Sequence, residues 1–129
     1  MDRHLPGVFG IQLVAIEYGA ADLRMDLHDR LMAPNGFLHA GTVITLADTA
    51  CGMGCRASLP EGATGFTTLE LKANFLRSAK GGDALSCRAT IAHGGGATQV
   101  WDARVTRDSD GKELALFRCT QFVLRGERA

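Results

Sequence analysis

The pattern of apolar and polar residues predicts two strands, one long helix and then four further strands. Apolar and polar residues alternate from Leu23 to Leu27, which is the period-2 pattern of a half-buried strand. The preceding segment, 8–17, is apolar and β-branched, and Tyr18-Gly19-Ala20 separates it from the alternating one. These two segments therefore predict a hairpin.

The segment after Pro34-Asn35-Gly36 has almost no polar residues and no alternation. It is rich in Ala, Leu and Ile and is too long for a buried strand, so it predicts a helix over 38–58. Leu59-Pro60-Glu61-Gly62 ends that helix. Each glycine within it lowers the helix propensity by about 1 kcal/mol relative to Ala. The helix must therefore be held by burial, and we expect another backbone to approach it closely at its glycines, which are Gly41, Gly52 and Gly54.

Four segments with strand character follow the helix. In the first, alternation places Leu69, Leu71, Ala73 and Phe75 on one face and Thr68, Glu70, Lys72 and Asn74 on the other. The other three are 85–91, 99–106 and 113–124. Gly94-Gly95-Gly96 and Asp108-Ser109-Asp110-Gly111 are turn sequences between them, so neighbouring strands are expected to run antiparallel.

An antiparallel sheet with one buried face and one wholly apolar helix predicts the α+β class, with the sheet wrapped around the helix. The chain of 129 residues has the size of a single domain, which we assign to 1–129. Such a sheet leaves long strand edges open. We therefore expect two copies to pair edge to edge in a homodimer.

Charge and composition exclude several partner classes. The formal net charge is zero, so the sequence predicts neither a nucleic-acid partner nor an anionic membrane surface. No window is apolar enough to span a bilayer, and 1–6 lacks the apolar run of a signal peptide, which predicts a cytoplasmic protein. The four cysteines are expected to be free and buried, because they lack the C-x-x-C spacing of a zinc site; no metal is predicted.

Asp48 is the candidate catalytic residue. It is the only formal charge between Arg30 and Arg56, and it lies in the middle of the predicted helix. An ionised carboxylate in such surroundings is costly unless it is paired or lines a cavity, and burial raises its pKa toward a range useful for catalysis. The alternative is a structural Asp that is satisfied by Thr hydroxyls or backbone groups.

The start of the helix carries a second group of candidates. His39 precedes Asp48 by nine residues, and at about 100° per residue the two side chains point in opposite directions. A pair within one subunit is therefore not expected, whereas two helices side by side in a dimer would bring them together. The free amides of Ala40 and Gly41 are suited to stabilise an oxyanion. Asn35 is the other polar group nearby, although Asn-Gly is also an ordinary turn pair and His39 also an ordinary helix-start residue.

The run Asn35-Gly36-Phe37-Leu38-His39-Ala40-Gly41, followed after six residues by Ala47-Asp48-Thr49-Ala50, resembles the helix signature of the hotdog-fold thioesterases. The closest branch is that of the phenylacetate-degradation acyl-CoA thioesterases. Segments 67–77 and 116–120 resemble strands of the same family. The resemblance implies a hotdog fold and hydrolysis of acyl-CoA thioesters at a site between two subunits of a homodimer or homotetramer. Coenzyme A is part of the substrate, and no further cofactor is implied.

The resemblance also implies roles for individual residues. Asp48 would be the nucleophile or the general base, and the Ala40 amide would polarise the thioester carbonyl. His39 and Asn35 would position the substrate or the water, and Thr68 would orient that water. Gly41, Arg77 and Lys80 would contact the substrate and its CoA moiety, although for Arg77 and Lys80 a solvated turn is an equal alternative.

Two departures from the family pattern stand out. The usual His-Gly-Gly is His39-Ala40-Gly41 here. Gly52 stands where one branch of the family carries Ser or Thr, and its presence favours the other branch, which uses the strand hydroxyl of Thr68. Two other functions stay open: a hotdog hydratase or dehydratase, and a non-catalytic acyl-CoA binding or sensing module. The sequence decides neither the acyl group, aromatic or aliphatic, nor the choice between nucleophile and general base.

Overall fold

A computed structural model describes residues 1–126. Its elements in chain order are α1 (Leu5–Val8), β1 (Gln12–Glu17), β2 (Ala20–Asp26), a short 3-10 turn (Asp29–Leu31), α2 (Ala40–Ala57), β3 (Ala63–Phe75), β4 (Ala84–Gly94), β5 (Thr98–Arg107) and β6 (Glu113–Arg125). The predicted order of two strands, one long helix and four strands is confirmed, and so is the α+β hotdog fold.

The six strands form one antiparallel sheet in the order β1-β2-β4-β5-β6-β3. The hairpin β1–β2 and the meander β4–β5–β6 follow the predicted turns. Strand β3 does not lie beside β4, which follows it in the chain, but pairs with β6 at the far edge. Within residues 1–126, this position leaves one side of β3 without a neighbouring strand.

Helix α2 packs against all six strands of the sheet and fills the core. Its buried positions include Leu46, Ala47, Ala50, Cys51 and Cys55. The predicted close approach at a glycine is real at Gly54, but its partner is a side chain rather than a backbone. A Cβ at Gly54 would lie 2.5 Å from the ring of Trp101. The fully buried ring of Trp101 occupies the space that a side chain at position 54 would need, so only glycine fits there without a shift of the ring.

Two boundaries differ from the sequence prediction. The helix covers Ala40–Ala57 rather than 38–58, because His39 caps it: its backbone is extended and its Nδ1 accepts a hydrogen bond from the Gly41 amide at 2.8 Å. The strand predicted over 8–17 begins only at Gln12, because Pro6 lies in the first turn of the short helix α1.

The predicted faces of β3 are wrong at Thr68. A β-bulge lies between Thr68 and Glu70, and Thr68 is the partner of Gln121, which is fully buried. The extra residue turns Thr68 toward α2, whereas regular alternation would have placed it with Glu70 on the outer face. Leu69 and Leu71 stay 60% and 38% exposed because β3 is an edge strand.

The four cysteines are free and buried, in agreement with the sequence prediction. Burial raises the pKa of Cys55 to about 11 and that of Cys87 to about 12, so these thiols are neutral core residues. Among residues 1–126, no helix has the length and apolarity needed to cross a bilayer.

Candidate active site

Asp48 lies on α2 at the border between the core and a surface cleft. Its side chain is half-buried, and within residues 1–126 it forms no ion pair with Lys, Arg or His. Burial is the main cause that raises the pKa of the Asp48 carboxyl above its ordinary value, and the hydrogen bond with Thr68 acts in the opposite direction. A half-buried carboxyl with a raised pKa and no counter-ion has the properties of a catalytic base or nucleophile.

Thr68 is the hydrogen-bonding partner that the β3 bulge brings to Asp48. The Thr68 Oγ1 lies 3.3 Å from Asp48 Oδ1 and 2.8 Å from Gln121 Oε1. A hydroxyl group carries a single hydrogen, so the two acceptors compete for it, and the shorter separation favours Gln121. The bond to Asp48 is therefore weak in this arrangement, and Thr68 is available to bind a water or substrate atom beside the carboxylate.

The cleft beside Asp48 has a volume of about 230 Å³. It lies between α2, β3 and the N-terminal segment, and its lining residues are Pro6, Asp48, Thr49, Gly52, Met53, Arg56 and Phe66. This volume is below the range of about 300–1,000 Å³ that is common for whole drug-sized ligands. It is suited to an acyl group and too small for a complete CoA ester.

The start of α2 opens on a different cleft. His39, Gly41, Thr42 and Thr45 line it together with Phe9, Arg30, Leu31 and Met32, and Asp48 does not. The structure thus brings Thr68 to Asp48 but does not bring His39 or Ala40 to Asp48 within one protomer. This separation agrees with the opposite directions expected from a spacing of nine residues on one helix.

The two candidate amides at the helix start are not equivalent. The Gly41 N–H is taken by His39 Nδ1, at 2.8 Å. The Ala40 N–H has no acceptor among residues 1–126, and Ala40 is exposed. Ala40 therefore presents the amide that is free to bind an incoming oxygen, with the helix dipole behind it.

Asn35 makes a local turn. Its Oδ1 accepts a hydrogen bond from the Phe37 amide at 3.1 Å, and the loop is closed by the Ala33 N–H, which donates to Phe37 O at 2.7 Å. The next residue, Gly36, has a φ of 90°, which favours glycine. Asn35 is exposed in this loop, and its Oδ1 bonds the Phe37 amide rather than His39.

Of the two basic candidates for CoA binding, only Lys80 shares a cleft with residues of this loop. Lys80 lines a cleft of about 490 Å³ that also includes Gly36 and Phe37. In the same cleft, Arg107 is already held by Asp110 at 2.6 Å, whereas Lys80 forms no ion pair within residues 1–126, so its ammonium is available for a phosphate. Arg77 does not line this cleft, and its guanidinium donates to the Glu113 carbonyl at 2.7 Å.

Three residues at the site were missed by the sequence analysis. Gln121 lies on the same inward face of β6 as the buried Phe117, Cys119 and Val123, and a polar residue at an inward position was the available signal. Arg56 follows Asp48 by eight residues, which is close to two helical turns and places both on related faces. Phe66 precedes Thr68 by two strand positions and so shares its face. No cluster of three or more His, Cys, Asp or Glu side chains able to hold a metal ion occurs in residues 1–126.

Comparison with known proteins places this geometry in a family. Residues 35–114 match the thioesterase superfamily. The 1,4-dihydroxy-2-naphthoyl-CoA hydrolase of Listeria monocytogenes is 33% identical over 119 residues, which are 92% of this chain and 94% of the relative.

Solved structures agree with that assignment. The E. coli PaaI protein from the phenylacetic acid degradation operon superposes with a TM-score of 0.86 and 26% identity, over 94% of this chain and 84% of that one. A Streptococcus mutans protein bound to acetyl-CoA superposes with a TM-score of 0.82 and 28% identity, over 92% of this chain and 91% of that one. The chain therefore belongs to the thioesterase superfamily and is a thioester hydrolase with the hotdog fold.

Proposed function

We propose that the protein hydrolyses acyl-CoA thioesters to the free acid and CoA, with Asp48 as the catalytic carboxylate. The observation that carries this proposal is the position of Asp48. It is half-buried, lacks a counter-ion among residues 1–126 and lines a largely apolar cleft, with the Thr68 hydroxyl at 3.3 Å. A carboxylate held in this way keeps its lone pairs available for a reacting centre.

The proposed site is completed by a second subunit. The Ala40 amide of one protomer would bind the thioester carbonyl oxygen, and Asp48 of the other would act on the carbonyl carbon. In the nucleophilic route, the carboxylate oxygen attacks that carbon, the C–S bond breaks to release CoA thiolate, and water hydrolyses the resulting mixed anhydride. In the general-base route, Asp48 takes a proton from water as the water attacks, and CoA thiolate leaves. His39 and Asn35 would orient the carbonyl end, and Thr68 would hold the water.

Strand β3 offers the surface for the homodimer. Its free edge leaves backbone groups unpaired, and three of its apolar side chains are well exposed: Leu69 at 60%, Leu71 at 38% and Phe75 at 49%. Edge-to-edge pairing would satisfy the backbone and cover these side chains. Further assembly into a homotetramer would use a second surface, and the opposite edge strand β1 has apolar side chains available for it, Leu13, Val14 and Ile16.

The CoA moiety would extend from the Ala40 end toward the larger cleft. Gly41 lies at the helix start, and Lys80 lines that cleft with Gly36 and Phe37. We assign Lys80 and Arg77 to the phosphates of CoA, as charge-assisted contacts that are partly exposed. The Streptococcus mutans relative that was solved with acetyl-CoA supports this class of ligand. An acyl-CoA substrate is consistent with a cytoplasmic enzyme.

The test is a panel of phenylacetyl-, hydroxyphenylacetyl-, benzoyl- and straight-chain acyl-CoA esters, assayed by release of free thiol. Asp48→Asn should lose on the order of 10²- to 10⁴-fold in turnover while still binding substrate. Asp26→Asn, an exposed carboxylate on β2, is the matched control and should retain full activity. Hydration of an unsaturated acyl-CoA without thiol release would indicate a hydratase, and ligand binding without turnover by the unmodified protein would indicate a sensor.

Mixing two inactive variants tests the shared site. A dimer of one Asp48→Asn subunit and one His39→Ala subunit contains one site with both defects and one with neither. Random exchange makes half of the dimers mixed, so activity should recover to roughly a quarter of the unmodified level. No recovery, in mixtures that are shown to exchange subunits, would contradict a site built from two protomers.

A further inference from the structure

The cleft between α2 and β3 has two chemically different ends. At one end Thr68 contacts Asp48, and at the other the ring of Phe66 lies beside Gly52, where a Cβ would be 3.2 Å from the ring. Arg56 is at this second end, with its guanidinium carbon 5.8 Å from the centre of the Phe66 ring. Eight residues of helix separate Asp48 from Arg56, or about 12 Å along the axis.

The middle of the cleft is apolar and open. Gly52 contributes no side chain, so the Phe66 ring packs close to α2 and forms the floor of the cleft with it, and Met53 supplies an adaptable wall. An acyl group whose carbonyl carbon lies at Asp48 would therefore run along this floor toward Arg56. An aromatic group suits a wall that is itself an aromatic ring.

Arg56 differs from five arginines that lie on the strands of the sheet. Arg24, Arg88, Arg104, Arg107 and Arg118 each form an ion pair with an Asp or Glu. Among residues 1–126, no carboxylate pairs with Arg56, and its guanidinium carbon lies over the Phe66 ring, 5.8 Å from the ring centre. This distance is at the outer range of a cation–π interaction, and the N–H donors of Arg56 remain free for an oxygen acceptor.

We propose that Arg56 is a specificity residue that binds an oxygen substituent, a ring hydroxyl or a carboxylate, at the far end of an aromatic acyl group. The preferred substrates are then aromatic acyl-CoA thioesters that carry such an oxygen on the side away from the thioester. A wholly hydrocarbon acyl group fills the same cleft but leaves the Arg56 donors partly desolvated and without a partner, which weakens its binding. This inference rests on the proposed function, because it takes Asp48 as the end where the thioester reacts.

The test compares matched substrates that differ by one oxygen: 4-hydroxybenzoyl-CoA with benzoyl-CoA, and 4-hydroxyphenylacetyl-CoA with phenylacetyl-CoA. The unmodified enzyme should favour the hydroxylated member of at least one pair by roughly 5-fold in kcat/KM, a modest ratio because the contact is partly exposed. Arg56→Met should abolish that preference, because methionine offers no donor to the hydroxylated substrate and leaves no donor unpaired beside the unsubstituted one. Arg56→Lys keeps the positive charge but loses the planar guanidinium with its paired N–H donors, so it should retain only part of the preference.

Arg88→Met is the control, because Arg88 is paired with Asp22 on the outer face of the sheet and its replacement removes the same charge far from the cleft. The preference should be unchanged in this variant. Equal preference in Arg56→Met and in the unmodified enzyme, or no preference for oxygen in the unmodified enzyme, would overturn the proposal.

A binding arm keeps this test separate from the proposed function. On the Asp48→Asn background, dissociation constants for the same CoA esters are measured by calorimetry with and without Arg56→Met. A roughly 5-fold preference for the hydroxylated ester that disappears with Arg56→Met supports the role of Arg56 even if the unmodified protein hydrolyses nothing. If the unmodified enzyme hydrolyses the esters but binds both members of each pair equally, the proposed role of Arg56 is refuted while the proposed function stands.

Discussion

The glycines Gly52 and Gly54 are expected to respond in opposite ways to the same Gly→Ala substitution. They lie two residues apart on α2 and therefore face different sides of the helix. At Gly54 an added Cβ would lie 2.5 Å from Cζ3 and 2.6 Å from Cη2 of Trp101. At Gly52 it would lie 3.2 Å from Cζ of Phe66, a side chain that is only partly buried.

The magnitudes decide the sign of each effect. Both substitutions gain about 1 kcal/mol of helix propensity. At Gly54 the overlap is about 1 Å inside normal contact, and overpacking of this kind costs about 1–3 kcal/mol. Trp101 cannot yield easily, because it is fully buried and its Nε1 donates to Gln99 Oε1 at 2.8 Å. Gly54→Ala should therefore destabilise the fold by up to about 2 kcal/mol.

At Gly52 the neighbouring Phe66 ring has room to adjust, because it is only partly buried. A shift of a few tenths of an ångström at the outer end of the Phe66 ring relieves the contact, so the helix gain of up to about 1 kcal/mol prevails. The new methyl group, however, occupies the floor of the cleft beside Asp48. Gly52→Ala should therefore keep or raise the melting temperature while lowering kcat/KM for aromatic acyl-CoA esters more than for short straight-chain esters.

The assay is thermal unfolding followed by circular dichroism at one fixed protein concentration, since assembly also changes apparent stability. For a chain of this size, Gly54→Ala should lower Tm by several degrees and Gly52→Ala should not lower it. Each variant is the control for the other, because the backbone change is identical. Shifts of Tm in the same direction and of similar size would refute the argument that the two helix faces differ in packing.

Three further predictions concern the carboxylate, its hydrogen bonds and the strand edge. Because burial raises the folded-state pKa of Asp48, the contribution of its protonated form to stability is present below the ordinary pKa of about 4 and is lost as pH rises through the folded value. In urea unfolding, Asp48→Asn should therefore be more stable than the unmodified protein at neutral pH, and the two should be equally stable at about pH 3. Gln121→Met frees the Thr68 proton for Asp48, so the acid limb of the kcat/KM profile should move to lower pH, whereas Thr68→Val should move it to higher pH. Leu71→Lys on β3 should yield monomers in analytical ultracentrifugation, whereas Val14→Lys on β1 should leave the dimer intact.

Most of the fold could be predicted because its signals are local. Period-2 alternation and turn sequences located the strands, and the long apolar segment located α2. Strand order could not be predicted in this way, since the pairing of β3 with β6 joins segments far apart in the chain. The bulge after Thr68 is equally hidden, because the sequence continues to alternate through it and only the register with Gln121 reveals the extra residue.

The part of the site that could be predicted from the sequence is the residue whose charge does not match its apolar neighbours. Asp48 stood out as a lone charge in an apolar helix, and the structure keeps it without a counter-ion among residues 1–126. Arg56 escaped notice because an arginine in the last turn of a helix is an ordinary dipole partner. Only the contact with Phe66 across from it shows that the guanidinium closes the same cleft.

In the proposed mechanism, the geometry of α2 makes assembly a condition of catalysis. Asp48 lines one cleft of a protomer, whereas His39 and Gly41, on either side of the Ala40 amide, line another. No side-chain rotation brings Asp48 to that amide, because the helix fixes their directions. Activity per subunit should therefore fall when the enzyme is diluted below the dissociation constant of its dimer. A loss of activity in Leu71→Lys is then explained by the missing second subunit, and forcing its association, for example by fusing two copies, should restore hydrolysis without altering Asp48. Monomers that retained full activity would show that the carboxylate and its oxyanion donor both belong to one protomer, contrary to the separation of the two clefts.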